Sequence, residues 1–161
     1  FTPASAEPLP AWLDALKKLP WMLHVGSCVP RKRIDVLLDS FAVARKAIPG
    51  LCLVKVSGEF TAAHEDQIER LKLREAITHV RGLSRTELAA AYRAAPLVVI
   101  PSESEGFGLP ALEAVACGAK VLASDLPSLR EAGGNAALYR PVADVADRVE
   151  EHQPLVHGKF S

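Results

Sequence analysis

The sequence has no excess of either charge, no long apolar run and no metal-ligand spacing. Lys and Arg together number 19 in the 161-residue chain, as do Asp and Glu, so no net field would attract a nucleic acid or an anionic membrane. No apolar stretch approaches the roughly 20 residues that cross a bilayer. The three cysteines form no C-x-x-C pair and the five histidines are scattered, which favours reduced thiols and argues against a zinc site. We therefore predict a cytoplasmic protein without a metal, a transmembrane segment or a nucleic-acid partner.

Short apolar segments alternate with amphipathic ones along most of the chain. The predicted strands are residues 21–25, 51–56, 77–81, 97–100, 121–124 and 137–139. The predicted helices are residues 11–18, 35–47, 63–73, 84–95 and 109–117, with another that begins near Pro127. Short, solidly apolar strands separated by helices are typical of a parallel sheet buried on both faces. The sequence thus predicts an α/β, Rossmann-like fold with about six parallel strands and helices on both faces.

This pattern predicts one domain with two flanking segments. Residues 1–20 are interpreted as an approach segment or linker, because prolines interrupt them. Residues 21–144 form the predicted domain, and residues 145–161 a C-terminal helix or tail. In parallel sheets, ligands bind beyond the carboxyl ends of the strands, in the loops that lead into helices. Two of these loops contain residues suited to ligand binding.

The first loop, residues 26–33, follows the first predicted strand and ends in three consecutive cations. Cations at a helix N-terminus oppose the helix dipole unless an anion lies between them. A phosphate there would be bound by Arg31 in a bidentate manner and by Lys32 as a point charge. Three successive side chains do not converge on one ligand, so Arg33 is expected to point away. The alternative is a solvated basic turn.

The second loop leads into the segment Glu105-Gly-Phe-Gly-Leu-Pro-Ala-Leu-Glu113. Its two glycines allow the backbone to approach a ligand, and the N–H groups of residues 106–109 lie at a helix start without intrahelical acceptors. Glu105 lies in the loop and Glu113 in the first turns of the helix, so we expect them to contact different parts of one extended ligand. Carboxylates accept hydrogen bonds from vicinal hydroxyls, which makes sugars natural partners. The helix is otherwise apolar, so Glu113 also needs a hydrogen-bond partner.

The same segment also fits a dinucleotide-binding fingerprint. GFGLPA matches G-x-G-x-x-[GA], and Asp125 follows 19 residues after Gly106, at the end of the next predicted strand, where it would bind a ribose. Two features oppose NAD binding. Residues 101–105 separate the first glycine from its strand, and three strand–helix units precede it where the fingerprint expects none.

Three segments in register resemble the retaining glycosyltransferases of family 4, which have the GT-B fold. The segment from Glu105 to Glu113 resembles their E-x7-E motif. The residues that follow, A-x-x-x-G-x-x-V-x-A-S-D-x-P-x-L-R-E, are similar to that family, as are residues 136–139. Upstream, HVGSCVPRKRIDVLLDSF resembles the family's G-x-x-x-P-x-K segment, although Ser27 departs from the Arg or Thr often found after that glycine. The resemblance covers about residues 21–144.

The resemblance implies a site for a nucleoside-diphosphate sugar. It implies that Arg31 and Lys32 bind the diphosphate and stabilise the leaving group. It also implies that Glu105 positions the transferred sugar and that Glu113 binds the ribose; Arg31, Lys32 and Glu105 are then the catalytic group. The residues implied in donor binding are Gly26, Ser27, Arg31, Lys32, Gly82, Leu83, Glu105, Gly106, Phe107, Gly108, Leu109 and Glu113. Among them, Gly82 and Leu83 lie where the family contacts the base.

Members of the family transfer a hexose, such as mannose or glucose, with retention and without a metal, which agrees with the absence of an Asp-x-Asp motif here. The acceptor, a glycan or lipid-linked glycan, would be held by an N-terminal domain that this chain does not include. That domain would also make any peripheral membrane contact. We therefore expect the chain to bind the donor without transferring the sugar.

Two alternatives stay open: a non-catalytic nucleotide-binding or interaction module of the same fold, and the NAD-binding domain. A binding-only relic need not keep the sugar contact at Glu105, so the intact set of Arg31, Lys32, Glu105 and Glu113 favours the enzyme. Outside these segments, His24 at a strand end is predicted to be a core or rim histidine with its hydrogen bonds satisfied.

Overall fold

Six parallel strands form a single sheet with helices on both faces. The computed structural model describes residue 1 and residues 9–142. The strands are β1 Trp21–Val25, β2 Cys52–Val56, β3 Ile77–Val80, β4 Val98–Ile100, β5 Val121–Ser124 and β6 Ala137–Arg140. The α-helices are α1 Ala11–Asp14, α2 Ile34–Ala47, α3 Ala62–Arg70, α4 Arg85–Ala94, α5 Leu109–Ala116 and α6 Pro127–Gly133. The strand order is β3-β2-β1-β4-β5-β6, which confirms the predicted fold class.

Every predicted strand is present, and its ends differ from the prediction by at most one residue. Two helices end three or four residues before their predicted ends: α1 at Asp14 and α3 at Arg70. Lys72 has a φ of 56°, a left-handed conformation in which an α-helix does not continue, and a 3-10 turn at Arg74–Ala76 leads into β3 instead. The predicted tail at 145–161 and residues 2–8 of the approach segment lie outside the described residues.

Both faces of the sheet are covered. Side chains that alternate along β1 enter opposite clusters, with Trp21 and Leu23 on one face and Met22 on the other. Helices α1, α4, α5 and α6 contribute to the first cluster, and α2 and α3 to the second. Burial on both sides explains why the inner strands β2, β1, β4 and β5 are mostly apolar. His24 and Lys55 are the basic residues of these strands, and both are buried. None of the helices within the described ranges is long and apolar enough to span a bilayer.

The strand order reverses between β1 and β4. From β1 the chain adds β2 and β3 on one side, and then crosses back to place β4 against the other side of β1. There Leu23 is in register with Val98. The loops after β1 and β4 therefore leave the sheet side by side, which is the position where parallel sheets bind ligands. These are the two loops that the sequence singles out.

Candidate functional site

The loop after β1 separates its three cations. Pro30–Lys32 form one 3-10 turn, and Arg33 closes it with a left-handed φ of 49°. This turn buries Lys32, which is 7% exposed, and leaves Arg31 half-exposed at the surface. Arg33 pairs with Asp35 at 2.9 Å and with Glu103 at 3.4 Å. Arg31 and Lys32 therefore lie at the junction of the loops, whereas Arg33 is neutralised by its own acidic partners beside it.

Two serine hydroxyls hold Glu105 in the loop after β4, and a main-chain hydrogen bond ties this loop to the first one. The hydroxyl of buried Ser102 donates to Glu105 Oε1 over 2.6 Å, and the hydroxyl of Ser128 donates to the Glu105 carbonyl over 3.1 Å. The main-chain N–H of Glu103 donates to the Arg31 carbonyl over 2.9 Å, which ties this loop to the first one. The side chain of Glu105 is only 5% exposed, so its carboxylate is fixed rather than solvated.

The two loops meet through an ion pair. Lys32 Nζ lies 2.5 Å from Glu105 Oε1, and Arg31 Nη1 lies 3.4 Å from Oε2. Burial is the largest influence on the Glu105 carboxyl and acts to raise its pKa. The hydrogen bonds from Lys32 and Ser102, with the charges of Lys32 and Arg31, outweigh burial and hold the pKa below its ordinary value. The structure thus brings Arg31, Lys32 and Glu105 into one charged cluster.

The start of α5 lies next to this cluster. Pro110 is in the first turn of the helix, where its missing N–H breaks no intrahelical hydrogen bond. Within residues 9–142, the N–H groups of residues 106–109 have no hydrogen-bond acceptor, so an anion beside Glu105 would also face free amides. Phe107 is 86% exposed and Leu109 is exposed as well. This end of the helix therefore offers both polar main-chain groups and an apolar surface.

Glu113 is half-buried on α5 and has the partner that its position required. The buried hydroxyl of Tyr92, on α4, donates to Glu113 Oε2 over 3.2 Å. One carboxylate oxygen is thus held by the protein, whereas Oε1 has no hydrogen-bond partner among the residues that the structure describes. Gly82 and Leu83 follow β3, at the same edge of the sheet but two strands away from β1. Gly26 and Ser27 begin the first loop, and Gly26 lies against the Lys32 side chain.

Several residues of the site escape the sequence analysis. Ser102 and Ser128 hold Glu105, and their only sequence signal is their position, Ser102 in the loop after β4 and Ser128 at the start of α6. Tyr92 has no signal, because its contact with Glu113 depends on how α4 and α5 pack. His24 was predicted to be satisfied, and this is wrong for one of its nitrogens: Nδ1 bonds the Val99 carbonyl over 2.9 Å, whereas Nε2 is buried without a partner among the described residues.

Gly108 is required by the geometry that starts α5, which gives a stability prediction. Its φ is 63°, and a Cβ there would lie 2.9 Å from the Ala132 Cβ and 3.1 Å from the Ser128 carbonyl oxygen. We expect Gly108→Ala to lower the free energy of unfolding by about 2 kcal/mol, from left-handed strain and overpacking. Urea denaturation measures this.

Gly106→Ala is the matched control for Gly108→Ala. Gly106 has no positive φ, and a Cβ there meets nothing within 4 Å. We expect its free energy of unfolding to stay within about 0.5 kcal/mol of the parent protein. Equal midpoints for the two variants would show that the loop relaxes around the added methyl group.

The chain is related to a known protein family. It matches the family model described as "Glycosyl transferases group 1" over residues 11–150, which is most of its length. The chain belongs to the group 1 glycosyl transferases. The resemblance inferred from the motifs is thereby confirmed at this level, whereas assignment to family 4 stays a prediction.

Two relatives of this group 1 chain have named activities. The D-inositol 3-phosphate glycosyltransferase of Mycolicibacterium smegmatis is 33% identical over 162 residues, which cover 94% of this chain and 36% of that protein. The O-antigen chain mannosyltransferase RfbU of Salmonella typhimurium is 31% identical over 128 residues, which cover 80% of this chain and 36% of that protein. The chain therefore spans about a third of the length of these relatives.

A solved structure shares the fold. The sucrose-phosphate synthase of Thermosynechococcus elongatus superposes on 93% of this chain with a TM-score of 0.77 and 29% identity, using 40% of its own chain. The six-stranded sheet of the group 1 chain is therefore one part of a larger architecture in that neighbour.

The structure and the family membership both disfavour the NAD alternative. GFGLPA follows β4 instead of β1, and residues 101–105 separate it from the strand. Asp125 is exposed and paired with Arg130, whose Nη2 donates to Asp125 Oδ2 over 2.9 Å. The turn after β1, where the fingerprint belongs, carries Arg31 and Lys32 instead.

Proposed function

We propose that this group 1 chain is the donor-binding domain of a retaining hexosyltransferase that uses a nucleoside-diphosphate sugar. The observation that carries the proposal is the cluster of Arg31, Lys32 and Glu105 at the junction of the β1 and β4 loops. Two cations and one carboxylate, beside the free amides of residues 106–109, suit a ligand with an anionic part joined to a hydroxyl-rich part.

The diphosphate is assigned to Arg31 and Lys32. Arg31 is half-exposed, so its guanidinium has room for a bidentate contact with a phosphate. Lys32 is buried at the same junction, where its charge is screened less than it would be in water. The N–H groups of residues 106–109 approach the anion from the side of α5. Together these groups supply positive charge where the departing nucleoside diphosphate needs it.

The remaining parts of the donor are assigned to carboxylates and main-chain groups along the same edge of the sheet. Glu105 accepts from hydroxyls of the transferred sugar, and Glu113 Oε1 accepts from the ribose. Gly82 and Leu83, after β3, contact the base. A named mannosyltransferase among the relatives supports a hexose as the transferred group.

The reaction breaks the bond between the anomeric carbon and the phosphate oxygen. The electron pair stays on the nucleoside diphosphate, the acceptor hydroxyl forms the new bond to the anomeric carbon with retention, and its proton passes to the departing phosphate. The protein stabilises the developing negative charge by Arg31, Lys32 and the start of α5. We propose that these groups make the transfer independent of a metal. A second domain outside this chain would hold the acceptor, a glycan or lipid-linked glycan.

Isothermal titration calorimetry with UDP, GDP, ADP and NAD tests the proposed donor site. We expect one nucleoside diphosphate to bind at least about tenfold more tightly than its nucleoside and than NAD, since the diphosphate contacts supply most of the affinity. Titration with the matching glucose and mannose derivatives then identifies the hexose. Binding of NAD without binding of any nucleoside diphosphate would overturn the proposal.

A further inference from the structure

Lys55 is a buried lysine near the carboxyl end of β2. It lies on β2, directly beside His24 of β1 in the strand register, and is 0% exposed. A buried ammonium group is costly unless its three protons are satisfied. Within the described residues, no carboxylate lies within ion-pair distance of Lys55 Nζ. Its cost is therefore offset by other groups.

Those groups are main-chain carbonyls at the carboxyl ends of two strands. Lys55 Nζ donates to the Gly26 carbonyl over 2.6 Å and to the Val56 carbonyl over 3.3 Å, and a short bond joins it to the Ser57 carbonyl. Gly26 opens the loop that carries Arg31 and Lys32. Three carbonyl oxygens gathered at this place would repel an anion, and the ammonium group of Lys55 cancels that repulsion.

The loop after β2 packs against the loop after β1 without side chains between them. A Cβ at Gly58 would lie 2.8 Å from Ser27 Cα, 2.9 Å from the Cys28 nitrogen and 3.0 Å from the Gly26 oxygen. The Gly26 N–H also donates to the Val56 carbonyl over 3.1 Å. The start of the first loop is therefore fixed by main-chain contacts, and the hydrogen bonds of Lys55 to the carbonyls of both loops add to them.

Three basic groups, His24, Lys32 and Lys55, surround Gly26. The position of a Gly26 Cβ is 3.7 Å from His24 Nε2 and 3.9 Å from Lys32 Nζ. Burial, then the charge of Lys55, lowers the pKa of His24 to about 3, so this histidine is neutral. Burial also lowers the pKa of Lys55, and contacts with Cys28 and the charge of Glu59 oppose that shift. Of these three groups, Lys32 is the one that reaches Glu105, and Lys55 stays on the carbonyls.

We propose that Lys55 is a positioning residue for diphosphate recognition. Its ammonium group occupies the carbonyls of Gly26 and Ser57 and adds positive charge next to the loop that carries Arg31 and Lys32. This inference rests on the proposed function. Lys55 contacts the loop and not the donor, so its effect concerns the phosphates and leaves the nucleoside part of the ligand unchanged.

Lys55→Met tests the assignment, because methionine keeps the length and removes the charge and the donors. We expect its affinity for the preferred nucleoside diphosphate to fall about tenfold, while affinity for the nucleoside changes by less than about twofold. Lys46→Met, an exposed lysine in the last turn of α2, is the control and should bind both ligands like the parent protein. Calorimetry measures all three proteins with both ligands.

Each outcome decides between the two proposals. The role of Lys55 is overturned, and the donor site is left intact, if Lys55→Met folds and the ratio of its affinities for nucleoside diphosphate and nucleoside equals that of the parent protein. Failure of the parent protein to bind any nucleoside diphosphate overturns the proposed function and this inference with it. If Lys55→Met does not fold, NMR of the isotopically labelled parent protein decides. The side-chain resonances of Lys55 should shift when the nucleoside diphosphate is added and should not shift when the nucleoside is added. Equal shifts with both ligands would contradict the proposal.

Discussion

Replacing Lys32 by methionine should weaken nucleoside-diphosphate binding by about 10- to 150-fold, or about 1.5–3 kcal/mol, the usual range for hydrogen bonds to charged groups. Two effects act in the same direction. The phosphate loses a buried cation, and Glu105 loses its 2.5 Å partner, so an unneutralised carboxylate faces the incoming anion. Calorimetric titration of the variant with the preferred nucleoside diphosphate measures the loss.

The double variant Lys32→Met/Glu105→Gln separates these two effects. If part of the loss comes from the carboxylate, removing its charge should restore several-fold of the affinity, and the double-mutant cycle then gives a non-zero coupling energy. Lys72→Met, an exposed lysine near the C-terminal end of α3, is the control for a general change of charge. Unchanged affinity in Lys32→Met would place the diphosphate elsewhere.

Glu105→Gln should strengthen the binding of the nucleoside diphosphate and abolish the additional affinity that the sugar of the complete donor contributes. In the free protein the carboxylate neutralises Arg31 and Lys32, so a diphosphate has to displace it from both cations. Glutamine keeps the size and removes the charge, and we expect affinity for the nucleoside diphosphate to rise by about three- to tenfold. The extra affinity that the sugar gives to the complete donor should disappear, because the carboxylate that accepts its hydroxyls is gone.

The exposed neighbour Glu103 provides the control for Glu105→Gln. Glu103 is paired with Arg33 at 3.4 Å and lies two residues before Glu105 in the same loop, so Glu103→Gln should leave both affinities within about twofold. Calorimetry at two salt concentrations measures both variants. Weaker binding of the nucleoside diphosphate by Glu105→Gln would mean that Glu105 supports the shape of the phosphate site and does not compete with the ligand.

The strands and the two loops were predictable because their signals are local. Four apolar residues within Trp21–Val25 predict a buried strand wherever that strand lies in the sheet, and the glycines and proline of the second loop predict a helix start. The contact between Lys32 and Glu105 was not predictable. It depends on β1 and β4 being neighbours and on the 3-10 turn that buries one cation and leaves the other half-exposed.

Lys55 shows a different limit of the sequence pattern. The segment LCLVKV is still predicted to be a buried strand although it contains one lysine. The pattern does not indicate that the ammonium group of this lysine binds three carbonyls. The requirement of a partner for Glu113 was visible in the apolar character of α5. Its identity as Tyr92 depends on the packing of α4 against α5, which amphipathic patterns leave undetermined.

The reversal of strand order has a consequence for how such domains diversify. The cationic side chains assigned to the phosphates come from the first half of the chain, and the carboxylate assigned to the transferred sugar comes from the second half, with β3 and α4 between them. A recombination event in that intervening region would exchange the loop that carries Glu105 and leave the loop that carries Arg31 and Lys32 unchanged. The contacts between the two loops, which include the ion pairs of Glu105 with Arg31 and Lys32 and of Glu103 with Arg33, would have to be kept in any such chimera, so they set its compatibility.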